Sequence, residues 1–351
     1  MSWATSRKRQ SLKITNKTGW IVLYPFKIRS SSFDNEQARE VQLPYSKERT
    51  AMFDKSDPRA GLSLSTVTAA ANAAIAAPHY TEFDGEPSQI SALGSRTWIT
   101  RGQNFIVSYT RLVAGDELRR PARQDEYVAI LHQDDAVVTV HAADQQMTAK
   151  GQSVVVIPPG ESSIRAEHPT DLVRVFDIRT GDLAARAANA ADYREAHPRV
   201  APLESWPEPT DGDKIRVYAL DAIAAEPGRF GRIFRTRTLM INYMYPTEGP
   251  RDISKLSPHH HDDFEQGSLA VRGDFIHHIR TPWTPDMNQW RDDEHTPVGS
   301  PSLAIIPPPT VHTTRATGAG SNILIDIFSP PREDFSDQPG WVLNTAEYPS
   351  K

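Results

Sequence analysis

The chain has 351 residues, more than one ordinary compact core holds, so two folded units are expected. Its 44 acidic and 39 basic residues give a formal net charge of -5 without a basic stripe, which argues against a nucleic-acid partner and for a small-molecule one. It has no cysteine, which excludes disulfides, thiolate nucleophiles and cysteine-held metals, and no apolar run near the roughly 20 residues a membrane span needs.

Residues 1–85 show no regular period and are expected to form an N-terminal extension that wraps the folded units or helps an oligomer form, with an Ala-rich helix at 65–77. The basic start lacks the apolar stretch of a secretion signal, so a cytoplasmic location is expected. Residues 86–180 contain short β-rich runs, among them NFIVSYTRLV, EYVAIL, AVVTVH, SVVVIP and LVRVFDI. Residues 181–212 read as a connector with a helix at 182–195, capped by Asp182. Strands resume over 213–330 in KIRVYAL, GRIFRTRTLMINYMYP, SLAVRG, FIHHIRT, LAIIP and NILIDIF, and 331–351 forms a C-terminal tail. The 28 prolines cluster between these runs, in IPPGE, SPHHH, RTPWTPD, IIPPPT and FSPPRED. Many short strands at turn-rich spacing predict an all-β chain.

An internal repeat sets the architecture. VVIPPGESS at 155–163 aligns with AIIPPPTVH at 304–312, 149 residues later, and each corner follows a similar block of strands. Two homologous β units are therefore expected.

The second unit carries Ser257-Pro258-His259-His260-His261-Asp262-Asp263-Phe264-Glu265-Gln266, then Gly273, then Pro307-Pro308-Pro309-Thr310-Val311-His312. These segments resemble the two motifs of the cupin superfamily, with Pro309 where the second motif has glycine. The resemblance implies two tandem cupin barrels, barrel 1 over 86–180 and barrel 2 over 213–330. Alternate residues His259 and His261 project the same way from an extended segment, and His312 arrives from a later strand. Spacing leaves two candidates for an oxygen ligand: counting back from Gly273 selects Gln266, and the shorter loop count selects Glu265, with Gln266 preferred because the turn glycine fixes register more firmly. Such a set suits one divalent ion, iron, manganese, nickel, zinc or copper, and leaves one or two positions open for substrate; iron(II) is preferred because a resemblance to bicupin dioxygenases implies it. In the first half the same counting lands on Arg119, Pro121, Glu126 and Ser163, so barrel 1 is expected to be metal-free.

Around the motifs, the insertion spanning 274–295 places Trp283, Met287 and Trp290 as a lid over substrate or as packing. Alternation sends one of His277 and His278 inward as an acid–base candidate, with Glu265 as a further base if it is not the ligand. Arg272, Arg280 and Arg315 are candidates for holding a substrate carboxylate. The function expected is an iron(II)-type dioxygenase acting on a small aromatic or carboxylated substrate, from a resemblance to bicupin dioxygenases of aromatic acids. An isomerase or lyase acting on a sugar acid, or a ligand-binding bicupin without turnover, are the alternatives. A homodimer or higher homo-oligomer is expected, since pairing would cover open barrel edges.

Overall fold

The computed structural model describes Arg59 and residues 73–351, which belong to one compact unit, Thr50–Lys351. Most of the predicted extension, including 65–72 of its helix, lies outside the described residues, and 73–77 is not helical. The chain is all-β: two large and two small antiparallel sheets, each large sheet facing a small one to make a barrel.

In barrel 1 the large sheet runs Arg216–Ala219, Ser153–Ile157, Tyr127–Leu131, Thr170–Asp177, Phe105–Leu112, Arg96–Arg101 and Gln89–Ile90. Its small sheet runs Glu117–Arg123, Gly160–Ala166, Val137–Ala142 and Gln145–Lys150. In barrel 2 the large sheet runs His79–Glu82, Ser302–Ile306, Gln266–Arg272, Ser321–Phe328, Met240–Met244 and Gly231–Arg235, with Thr247–Glu248 also paired to Ser321–Phe328. Glu294–Val298, Phe275–Arg280 and Val311–Ala316 make the small sheet. The strand ahead of each barrel joins the other barrel: His79–Glu82 pairs with Ser302–Ile306, and Arg216–Ala219 with Ser153–Ile157. This exchange covers one edge of each large sheet.

The large sheets pack face to face through one apolar cluster, including Val128, Ile130, Val154 and Val156 from barrel 1 and Leu269, Val271, Leu303 and Ile305 from barrel 2. Burial on both faces explains why these strands read as continuous apolar runs. Side chains of opposite parity point into the barrels. Those of barrel 1 form a single apolar filling, with Ile106, Leu131, Val140, Ile157 and Ile164 among them. Those of barrel 2 form only small apolar groups.

Ladder registers fix which residues correspond. Tyr127 lies opposite Ile157 as Gln266 lies opposite Ile306, so Tyr127 matches Gln266 and Glu126 matches Glu265. Ser162 lies opposite Arg120 as His312 lies opposite His259. The counterparts of His259, His261, Gln266 and His312 are thus Arg120, Ala122, Tyr127 and Ser162, each one residue from the position that spacing gave. Two features cause the slip: the first corner is one residue shorter, with a register shift between Gly160 and Ser162, and the acid Glu126 matches the acid Glu265 rather than the amide.

The segments closing the two barrels also match. Asn189 brackets the backbone of Arg101 with hydrogen bonds of 3.0 and 2.8 Å, and Asn344 does the same to Arg235. Four residues beyond each asparagine, the Tyr193 hydroxyl donates to Glu265 at 3.0 Å and the Tyr348 hydroxyl to Glu126 at 2.7 Å. The connector helix predicted over 182–195 is reduced to one turn, Gly181–Ala184, and a 3-10 turn, Ala190–Tyr193. Asp182 does not cap it because its carboxylate accepts from Arg120 and Arg123, and Asn189 is committed to the Arg101 backbone.

Candidate metal centre

His259 and His312 face each other as an isolated antiparallel bridge, with backbone hydrogen bonds of 3.0 and 2.7 Å in the two directions. This joins the start of the histidine segment to the strand Val311–Ala316, while His261 and Gln266 come from the following loop and strand. The ring nitrogens of His259, His261 and His312 lie within 4.8 Å of one another, and these three residues could hold a metal ion.

Period-two alternation separates the two oxygen candidates. Gln266, Ser268 and Ala270 point into the barrel, whereas Glu265 has the opposite parity. Gln266 Oε1 stands 2.8 Å from His261 Nε2 and 3.4 Å from His312 Nε2. Glu265 turns towards barrel 1, where it accepts from the backbone N–H of Gln103 at 2.5 Å and from Tyr193.

The hydrogen bonds behind the rings fix their protons. His259 Nδ1 is 2.9 Å from the carbonyl oxygen of Ser257, and His312 Nδ1 is 3.0 Å from that of Thr310. A carbonyl oxygen can only accept, so both Nδ1 atoms carry hydrogen, and in the neutral ring His312 Nε2 is an acceptor. Burial holds all three imidazoles neutral: the pKa values of His259 and His261 fall well below the ordinary histidine value, and that of His312 falls to about 4. His312 Nε2 and Gln266 Oε1 are then two acceptors facing each other without a hydrogen between them. A cation satisfies that arrangement, and the donor set fits a first-row divalent ion.

Behind Gln266, its Nε2 donates to Asp326 Oδ1 at 3.1 Å. Burial pushes the Asp326 carboxyl up to about 6, against the pull of Arg59 and Arg332. In front, His259, Gln266, His312 and Asp326 form part of the wall of a cavity of 390 Å³. Phe230, Tyr245, Phe275 and Leu324 give it apolar surface, and Arg59 and Arg251 give it positive charge. The two guanidinium groups both donate to Ser257 Oγ, at 2.9 and 3.0 Å.

Other residues singled out from sequence sit elsewhere. His277 points inward, its Nδ1 3.0 Å from Thr314 Oγ1 and its pKa lowered by burial to about 4, yet it does not line the cavity. His278 points outward, 2.8 Å from His295. Arg272 is 3.6 Å from Asp134 of barrel 1, Arg280 forks onto Asp293, and Arg315 lies opposite Ile276 outside the cavity wall. Trp283 and Trp290 stack on each other at 4.6 Å, with Trp283 77% exposed, and neither lines the cavity. Their loop leans instead on the segment before barrel 1, through Arg291 to the carbonyls of Ile75 and Ala76. Sequence reasoning missed Arg59, Arg251 and Asp326. For Asp326 a signal existed: it is an acid at an inward position of the otherwise apolar end of Ser321–Phe328. For Arg59 none did, since 198 residues separate it from Ser257.

No protein-family model matches the chain, and the search of curated proteins found no match. Among solved structures it is similar to a Lactobacillus farciminis oxalate decarboxylase in complex with formate, at 13% identity over 72% of this chain and 86% of that one, with a TM-score of 0.49. A variant of the Bacillus subtilis oxalate decarboxylase gives 14% identity, 80% coverage of both chains and a TM-score of 0.48. An IolB-like protein of Salmonella typhimurium gives 13% identity over 75% of this chain and 94% of that one, with a TM-score of 0.43. No helix among the described residues is long and apolar enough to cross a membrane.

Proposed function

We propose that this bicupin is a metal-dependent enzyme whose second barrel holds one divalent ion on His259, His261, Gln266 and His312 and acts on a small carboxylated substrate as an iron(II)-type dioxygenase. The observation that carries the reading is the convergence of acceptor-only atoms, His312 Nε2 and Gln266 Oε1, beside a cavity. When bound, the ion supplies a Lewis-acid centre for substrate oxygens and, as iron(II), reactivity towards dioxygen. The cavity supplies the rest. Arg59 and Arg251 attract the substrate carboxylate, and Ser257 holds their guanidinium groups together. Phe230, Tyr245 and Phe275 form the wall against which an aromatic or aliphatic body packs. A volume of 390 Å³ suits one small molecule.

A second reading, a metal-dependent isomerase or lyase on a hydroxy-carbonyl acid, is favoured by the all-neutral donor set, which leaves the charge of the ion free to polarise a carbonyl. One experiment separates the two. Chelated protein is reloaded without oxygen with iron(II), manganese, nickel or zinc and offered panels of aromatic acids and sugar acids. Oxygen uptake that needs both iron(II) and an aromatic acid supports the dioxygenase. Anaerobic conversion of a sugar acid with manganese, nickel or zinc supports the isomerase or lyase. Ion uptake with binding but no turnover of either panel points to a ligand-binding protein.

A further inference from the structure

We infer that Asp326 dictates which end of the Gln266 amide faces the imidazoles, and thereby makes a neutral amide rather than a carboxylate the oxygen donor of this site. The inference rests on the metal-centre reading above. The two ends of a glutamine side chain have nearly the same shape and differ in hydrogen bonding alone, so the surroundings choose the orientation. Gln266 lies between the imidazoles and a carboxylate: its Oε1 is 2.8 Å from His261 Nε2 and 3.4 Å from the His312 Nε2 acceptor, and its Nε2 is 3.1 Å from Asp326 Oδ1. Without Asp326, the amide would gain by turning its N–H towards His312 Nε2, which would tie up that lone pair and leave the site without its oxygen donor. With Asp326 in place, that turn would set Oε1 against a buried carboxylate oxygen. The carboxylate accepts the N–H, and Oε1 stays with the lone pairs.

The ladder holds this pair in place. Asp326 lies opposite Ser268, two residues beyond Gln266 on the same inward face, and Ser268 Oγ reaches the same carboxylate oxygen at 3.5 Å. Both partners are buried, Gln266 with 4% and Asp326 with 7% of its surface exposed. Glutamate at 266 would present an acceptor at both ends, one of them to Asp326 in a buried setting where like charges repel strongly. Barrel 1 changes both positions at once: Arg174 stands opposite Ala129 as Asp326 stands opposite Ser268, and Tyr127 stands in place of Gln266. There the inward cation stacks over Phe176 at 5.5 Å, and the tyrosine bonds Ser162.

Four full-length proteins test this: the wild type, Asp326→Asn, Gln266→Glu, and the double variant. Each is stripped by chelation, titrated with cobalt(II) alone, and followed by visible absorption and chelator competition, with circular dichroism to confirm folding. The expected result is a sign inversion. Asp326→Asn weakens cobalt binding about 10–100-fold when residue 266 is glutamine, because an asparagine can donate as well as accept and so no longer forbids the turned amide. The same substitution strengthens binding when residue 266 is glutamate, because the amide N–H it introduces can donate to the carboxylate. A change of the same sign in both backgrounds, or no change in either, overturns the inference while leaving the metal centre standing. A wild type that takes up no cobalt overturns the metal centre itself, and this inference with it.

Discussion

In barrel 1 the Tyr127 hydroxyl and Ser162 share a hydrogen bond of 3.1 Å; at the matching positions of barrel 2, Gln266 and His312 face each other at 3.4 Å as two acceptors. The contrast extends along the inward faces. Leu131, Val140, Val155 and Ile164 fill barrel 1, where barrel 2 has Ala270, His277, Ala304 and Thr314. Smaller and more polar side chains leave the polar site and its cavity where barrel 1 has an apolar filling. The outward faces of the same large sheets do not diverge in this way, since both contribute valine, leucine and isoleucine to the shared cluster. Each strand therefore has one face that serves stability and another free to change, and the two barrels show two uses of that freedom.

The sharpest way to break the comparison is to remove one side chain of the site. His261→Ala or His312→Ala is expected to reduce metal content, measured by inductively coupled plasma mass spectrometry, from near one equivalent to near zero. Ser162→Ala and Tyr127→Phe in barrel 1 are expected to leave it unchanged; a loss there would mean that the ion sits elsewhere. Next in size is the difference between the fillings. Ile164→Ala should cost about 2–5 kcal/mol in urea unfolding, because it opens a cavity in a close-packed interior. Thr314→Ala at the matching place should cost about 1 kcal/mol, mainly the hydrogen bond to His277. Equal costs would show that barrel 2 is as tightly filled as barrel 1.

The repeat and the histidine motifs were legible in the sequence because they depend on local spacing: proline corners between short apolar runs, and alternation along an extended segment. Gln266 was reachable by counting from Gly273, which has φ 87° and where a Cβ would meet Asn322 Oδ1 at 2.1 Å, so glycine pins that turn. The one-residue slip in barrel 1 was not legible, because a shortened corner moves a register without altering composition. Substrate-side residues were the least legible. An arginine is assigned to a cavity only by the fold that brings it there: Arg251 and Arg59 meet at Ser257, whereas Arg280, on a strand beside the site, bonds Asp293 on the surface. The matching tails, Asn189 with Tyr193 and Asn344 with Tyr348, escaped notice because two residues four apart make too sparse a pattern to stand out.

Those tails set up the smallest expected effect, at the two matched glutamates. Glu126 accepts from the backbone N–H of Arg237 and from Tyr348, with the Arg237 guanidinium 3.4 Å away; Glu265 accepts from the N–H of Gln103 and from Tyr193, with His197 3.3 Å away. The geometry is shared, but one cation is permanent and the other titrates. Hydrogen bonding to Glu265 raises the His197 pKa above the ordinary histidine value, although burial opposes it. The other groups facing this ring are the carbonyl oxygen of Asp192, 3.3 Å from Nε2, the Asp192 carboxylate, and the Tyr193 ring with its centroid 4.7 Å away. A raised folded-state pKa means that the stabilisation is fully present below the unfolded value of 6.5 and disappears as pH climbs through the folded value. Glu265→Gln should therefore cost more at pH 6 than at pH 9, by under about 1 kcal/mol for a partly exposed pair. Glu126→Gln should show the smaller slope, because arginine keeps its charge throughout and only the Glu126 carboxyl itself, its pKa raised by burial, titrates. Thermal melts of the chelated proteins at the two pH values measure both slopes, and His197→Gln should flatten the Glu265 slope. Parallel slopes for the two glutamates would show that His197 contributes packing there and no charge.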